Sequence, residues 1–186
     1  MKKRCGWVGT TGLMIKYHDT EWGVPVHNDR KLFEFLVLDA FQAGLNWELV
    51  LKKRSSFRKA FHRFTPKRIA KYTKRDVARL LSDASIIRNR LKIAATINNA
   101  RQFVQVQKEF GSFDTYIWQF VGGKPRKNRF KKESELPAKT REAEAMSQDL
   151  IKRGFKFVGP TICYAFMQAA GLVNDHTMDC FRCRQV

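Results

Sequence analysis

The chain has 186 residues, with 36 Lys+Arg against 17 Asp+Glu, a formal net charge of +19. At 44% hydrophobic and 12% aromatic residues it has enough apolar surface to offset chain entropy, which excludes a disordered polycation and fits one medium domain. A strong field of one sign on a folded body implies a polyanionic partner, either nucleic acid or an anionic membrane surface.

Met1-Lys2-Lys3-Arg4 has the charge that opens a signal peptide, but Cys5 to Gly12 follows in place of an apolar stretch, so no export is expected. In a cytosolic setting the four cysteines stay reduced, and metal binding becomes the better question than disulfides. Trp7, Tyr17, Trp22 and Trp47 crowd into the first 47 residues. Asn28 can cap a helix through Leu32, Phe33, Phe35, Leu36 and Leu38, which Gly44 ends, and Asn46 can cap the next through Leu49, Val50, Leu51 and Phe57. Asp39 is the only acid between Glu34 and Glu48, so it is either functional or facing solvent at a helix end. An acid near a helix C-terminus opposes the dipole, which favours function slightly. Trp47 follows the turn Gln42-Ala43-Gly44-Leu45-Asn46, where an aromatic can line a pocket mouth and Leu45 can protrude. Aromatic walls with a carboxylate suit an electron-poor base swung out of a helix.

Thr73 with Asp76 fits a capping box before Val77, Leu80 and Leu81. Ile87, Leu91, Ala94, Ile97, Ala100 and Val104 form one stripe of a long helix, and Ser112 opens another carrying Tyr116, Ile117, Phe120 and Val121. Residues 122–139 read as a basic loop, solvated by preference and able to touch phosphates. Thr140 to Arg153 is helical by pattern, with Gly154 as a left-handed cap and Pro160 as the first residue of a new helix. The uncharged run from Phe157 to Asn174 is broken by Gly159 and Pro160 and reads as a buried core helix rather than a membrane span. A hairpin whose second helix starts at Gly159-Pro160-Thr161 points free N–H groups outward, which suits one phosphate, and Lys152, Arg153 and Lys156 add charge. An ordinary helical connection is the alternative.

Cys5 and His18 lie near one end of the chain, and His176 and Cys180, at helical i, i+4 spacing, near the other. Two imidazoles and two thiolates compose a closed tetrahedral Zn²⁺ site, and joining both ends would turn binding energy into folding energy. Cys180 and Cys183 form a competing C-x-x-C pair, and idle thiols with satisfied surface histidines weigh equally by spacing alone. Cys163 falls in the buried helix as packing.

Six ordered motifs span almost the whole chain: Arg4 to Val8, Tyr17-His18-Asp19, Glu21 to Pro25, Gln42 to Trp47, Arg153 to Gly159, and Gly171 to His176. Together they resemble the 3-methyladenine DNA glycosylase I family. The resemblance implies an all-α helix-hairpin-helix glycosylase fold with structural zinc tying the termini through Cys5, His18, His176 and Cys180. It implies a single domain over residues 1–186: a helical core at about 28–172, the hairpin motif at about 140–172, and a zinc-tied region of 1–27 plus 173–186. Tyr17 and Trp47 match base-pocket aromatics, with Trp7 and Trp22 close by. Gly44 and Leu45 match the segment that enters DNA where the base has left, and Gly159, Thr161 and Lys156 belong to the phosphate-binding hairpin. The implied function is monofunctional hydrolysis of the N-glycosidic bond of 3-methyladenine in duplex DNA, the first step of base excision repair. No lysine stands out beside the pocket for lyase chemistry. A cytoplasmic monomer, nucleoid-associated through DNA and not at a membrane, is expected.

The family's pocket carboxylate is usually Glu, and here Asp39 holds the position, drawn back by one methylene or roughly 1.5 Å. Met14 stands where relatives tend to have an aromatic. The alternative is therefore a weakened or inactive DNA-binding paralogue, or a glycosylase of altered lesion preference. Asp175 is expected as a partner orienting the neighbouring His176.

Overall fold

A computed structural model describes residues 2–186; Met1, the first residue of the expected domain and of the basic N-terminal segment, lies outside the described residues. Helix α2 (Asp29–Gln42) forms because Asn28 Oδ1 accepts the Lys31 N–H at 3.1 Å, and it is buried on every side, so it runs through the core instead of over it. Its last carbonyls, on Phe41 and Ala43, receive the Lys92 ammonium at 2.7 and 2.6 Å, which satisfies a helix end that would otherwise be orphaned. Gly44 then takes a left-handed φ of +74°, and Asn46 caps α3 (Trp47–Ala60) by accepting the Glu48 N–H at 2.7 Å. A helix absent from the sequence reading, α1 (Gly12–Thr20), lies within the terminal region and packs on α3.

Beyond α3, short α4 (Pro66–Ile69) leads to α5 (Lys74–Ser82), whose Asp76 carboxylate accepts from the Thr73 N–H at 3.0 Å and hydroxyl at 3.1 Å. The long helix α6 (Arg90–Phe110) buries Ile93, Ile97, Ala100, Phe103 and Val106. The expected stripe is therefore rotated: Leu91 is 69% exposed, Ala94 faces solvent, and Ile87 lies before the helix. Phe103 against Phe33, at 5.0 Å between ring centroids, and the inward Lys92 set the observed face. Ser112 caps α7 (Phe113–Trp118), with Phe120 and Val121 in the following turn.

The basic loop contains β1 (Arg126–Lys127), paired in parallel with β2 (Val173–Asn174). Thr140 caps α8 (Arg141–Lys152), and Gly159 precedes α9 (Pro160–Ala169) with Pro160 at its first position. The two helices pack against each other, and α9 also packs on α2. His176 and Cys180 are not on a helix, as their spacing suggested; a turn in which Cys180 N–H donates to Thr177 O brings them together. Among the described residues no helix is long and apolar enough to cross a membrane.

Candidate active site and metal centre

Where α1, α2, α3 and α9 meet, a cavity of about 570 Å³ is lined by Trp7, Tyr17, Trp22, Asp39 and Trp47, with Met14 among its walls. Asp39 is only 3% exposed, so the solvent-facing reading of this acid is excluded. The Tyr17 and Trp47 rings lie 5.4 Å apart, and Trp7 meets Trp22 edge-on at 4.8 Å. Three buried polar atoms of this lining have no hydrogen-bond partner: Asp39 Oδ2, Trp7 Nε1 and Trp47 Nε1. Buried polar groups are normally paired, so one acceptor and two donors left free in one aromatic cavity make a site built for a polar ring. Burial pushes the Asp39 carboxyl well above its ordinary range, opposed by the Arg54 guanidinium, and Tyr17 is raised by burial and by Asp39. Arg54 is itself held by Glu34 and Glu21.

The hairpin joining α8 to α9 is fixed from below by α6. Asn99 exchanges two hydrogen bonds with the Lys156 backbone, both at 2.8 Å, and Asn98 Nδ2 donates to Gly154 O at 2.7 Å. Gly154 adopts φ +86°, while Lys156 and Thr161 are exposed. Arg153 does not join them: its guanidinium is spent on Asp149 and Glu109 at 2.7 Å each, stacked over Phe110 and Tyr116. Leu45, 37% exposed, stands on the turn beside Gly44 at the end of α2.

Cys5, His18, His176 and Cys180 are all buried, and their ligand atoms lie within 4.8 Å of one another. The sulfur-to-nitrogen distances are 3.4 Å for Cys180–His18 and 3.5 Å for Cys5–His176 and Cys180–His176. A tetrahedral ion with Zn–S of about 2.3 Å and Zn–N of about 2.0 Å would hold a sulfur and a nitrogen about 3.5 Å apart, so the donor set fits a metal. Burial lowers both imidazoles, His176 to about 4, which keeps them neutral as ligands must be. Cys183 stays outside the cluster and Cys163 packs in the core, its thiol directed at Val158 O.

The partners that orient the imidazoles are Asp19, which bonds His18 Nδ1 at 2.8 Å, and the Trp22 carbonyl, which lies 3.1 Å from His176 Nε2. Arg4 holds Asp19 in turn, lowering its carboxyl to about 2. Asp175 does not orient His176, contrary to expectation; it binds Asn128, Tyr164 and Gln168. Tyr164 and Gln168 line the cavity, as do Glu133, Leu136, Pro137 and Ala138 of the basic loop. Sequence reasoning missed these wall residues. The loop's apolar Leu136-Pro137-Ala138 was their one visible signal.

The family model for methyladenine glycosylase matches residues 7–183. The chain is 50% identical over 178 residues to DNA-3-methyladenine glycosylase 1 of Escherichia coli (strain K12), covering 96% of this chain and 95% of that protein. A crystal structure of 3-methyladenine DNA glycosylase I superimposes with a TM-score of 0.94 at 50% identity, over 96% of this chain and 98% of that one. The glycosylase from Staphylococcus aureus, studied for its recognition of 3-methyladenine, gives 0.93 at 34% identity, over 96% and 95%.

Proposed function

The chain belongs to the methyladenine glycosylase family, and from that premise we propose that its aromatic cavity receives a flipped 3-methyladenine from duplex DNA for hydrolysis of the N-glycosidic bond. It is a DNA-3-methyladenine glycosylase. The observation that carries the assignment of the cavity is the unpartnered Asp39 Oδ2 between the rings of Tyr17, Trp47, Trp7 and Trp22.

N3-methylation leaves adenine in DNA with a positive charge. An aromatic face attracts such a cation, by up to roughly 2 kcal/mol when desolvated. Asp39, disfavoured as an anion while the cavity is empty, gains a counter-charge when the base arrives, so its carboxylate and the cation stabilise each other. A neutral base offers no such gain, and flipping is easier for damaged bases. Water adds to C1′, the C1′–N9 bond breaks with its electron pair passing to N9, and the water's proton is released. The cationic base is already a good leaving group, so positioning and charge recognition are the protein's main contribution. The cavity lining contains no lysine, consistent with hydrolysis without a lyase step.

Leu45 and Gly44 enter the space vacated by the base, and Gly159, Thr161 and Lys156 receive a backbone phosphate at the start of α9, as a helix-hairpin-helix motif. Cys5, His18, His176 and Cys180 hold a structural Zn²⁺ that braces the aromatic segment. The enzyme acts as a cytoplasmic, nucleoid-associated monomer of one domain over residues 1–186.

A crystal soaked with free 3-methyladenine tests the site: the base is expected beside Trp47 and Tyr17, within hydrogen-bond reach of Asp39. A base bound elsewhere, or Asp39 turned away from it, contradicts the assignment.

A further inference from the structure

Three donors, two from α9 and one from the segment after β1, converge on one carboxylate outside the Cys/His cluster. Asp175 is fully buried. Its Oδ1 accepts from Asn128 Nδ2 at 2.7 Å; its Oδ2 accepts from Gln168 Nε2 at 2.8 Å and from the Tyr164 hydroxyl. Tyr164 and Gln168 stand one turn apart on α9, and both line the cavity that holds Asp39. Asn128 follows β1 on the segment whose later residues complete the cavity rim.

In this geometry both carboxylate oxygens of Asp175 act only as acceptors, so each of the three partners donates. Tyr164 commits its single O–H to Asp175, and Gln168 commits an amide N–H. What remains to these side chains is mainly acceptor capacity: the phenolic lone pairs and Gln168 Oε1. Without the carboxylate, the Gln168 amide would be free to turn either way round. We infer that Asp175 is a positioning residue: it fixes the hydrogen-bonding polarity of the α9 wall, so that the wall presents oxygen acceptors to a base bearing positive charge and an exocyclic amine. This deepens the assignment of the cavity as the base pocket and rests on it.

The test compares, at a mildly acidic pH where free 3-methyladenine is protonated and so cationic while free adenine is still neutral, the dissociation constants of the two bases for the intact protein and its variants. Asp175→Ala is expected to weaken 3-methyladenine by about tenfold, the scale of leaving buried donors unpaired, with adenine changing less than about threefold. Asp175→Asn can keep its oxygen towards Tyr164 and Gln168 and turn its nitrogen to Asn128, whose own amide can rotate to accept. It is expected to recover 3-methyladenine binding to within about threefold of the native protein. The double variant Tyr164→Phe/Gln168→Leu, with Asp175 native, should lose as much as Asp175→Ala, and adding Asp175→Ala to it should cost nothing more.

An Asn variant as impaired as the Ala variant, equal losses for the two bases, or a double variant that binds like the native protein would each overturn the inference. The double variant decides the matter if Asp175→Ala does not fold. A native protein that fails to bind 3-methyladenine at all would instead overturn the pocket assignment, and this inference with it.

Discussion

Trp22 joins the aromatic cavity to the Cys/His cluster: its carbonyl oxygen lies 3.1 Å from His176 Nε2, while its ring lines the cavity and meets the His176 ring edge-on at 4.6 Å. Anything that releases His176 therefore releases a pocket wall.

Cys180→Ser is expected to lose a bound metal, close to one equivalent in the native protein, and to weaken 3-methyladenine binding. A destabilisation of about 3 kcal/mol or more corresponds to roughly 6 to 12 °C for a chain of this size. Cys183→Ser, outside the cluster, should leave metal content and melting temperature unchanged. Metal analysis with thermal melts reads both. Equal effects at the two cysteines would remove the cluster from the account.

Asp39→Asn should abolish excision and yet stabilise the protein. Burial raises the folded-state pKa of Asp39 above its unfolded value of about 3.9. The folded state therefore holds the proton more tightly, and this residue's contribution to stability falls as pH rises from the unfolded towards the folded pKa. The amide does not titrate. The variant should be more stable at pH 7 by about 0.5–2 kcal/mol, a rise in melting temperature of roughly 1 to 8 °C, and the gain should shrink near pH 4. A lower melting temperature at pH 7 would show that the carboxylate is better solvated than its surroundings indicate.

Asp39→Glu advances the carboxylate by one methylene, about 1.5 Å. The working enzyme expected here should keep or lose activity with the longer acid. A gain of about tenfold or more in excision rate would show that Asp39 is too short, and would support the reading of the native chain as a weakened member of its family.

Lys156→Ala should weaken duplex binding and reduce the slope of log affinity against log salt by about 0.9, the value of one phosphate contact. Leu45→Ala should slow excision from duplex by about tenfold. Both should leave the affinity for the free base unchanged, because neither lines the cavity. Arg153→Ala should instead act on stability, since that side chain is committed to Asp149 and Glu109.

Local signals were legible because their physics is local. Asn28, Asn46, Ser112 and Thr140 each cap a helix where the sequence placed one, and Pro160 opens α9. Asp39 stood out as a lone acid in an apolar run. Helix α1 was not legible: it starts at Gly12 with no side-chain cap. Lys92 reads as a surface lysine until two backbone carbonyls 49 and 51 residues away are placed around its ammonium. The wall made by Tyr164, Gln168 and residues 133–138 depends on β1 meeting β2 across 47 residues, a pairing of two residues per strand that leaves no periodic pattern. Asp175 illustrates the same limit, since its neighbour in sequence belongs to the Cys/His cluster but its own side chain bonds Tyr164 and Gln168 of the cavity wall.

The most direct measurement is the release of free bases from methylated duplex DNA by the metal-loaded native chain and by Asp39→Asn. The account predicts that the native protein liberates 3-methyladenine and that the folded Asn variant liberates almost none. Absence of free 3-methyladenine with the native protein, or release by the Asn variant at the native rate, would contradict it.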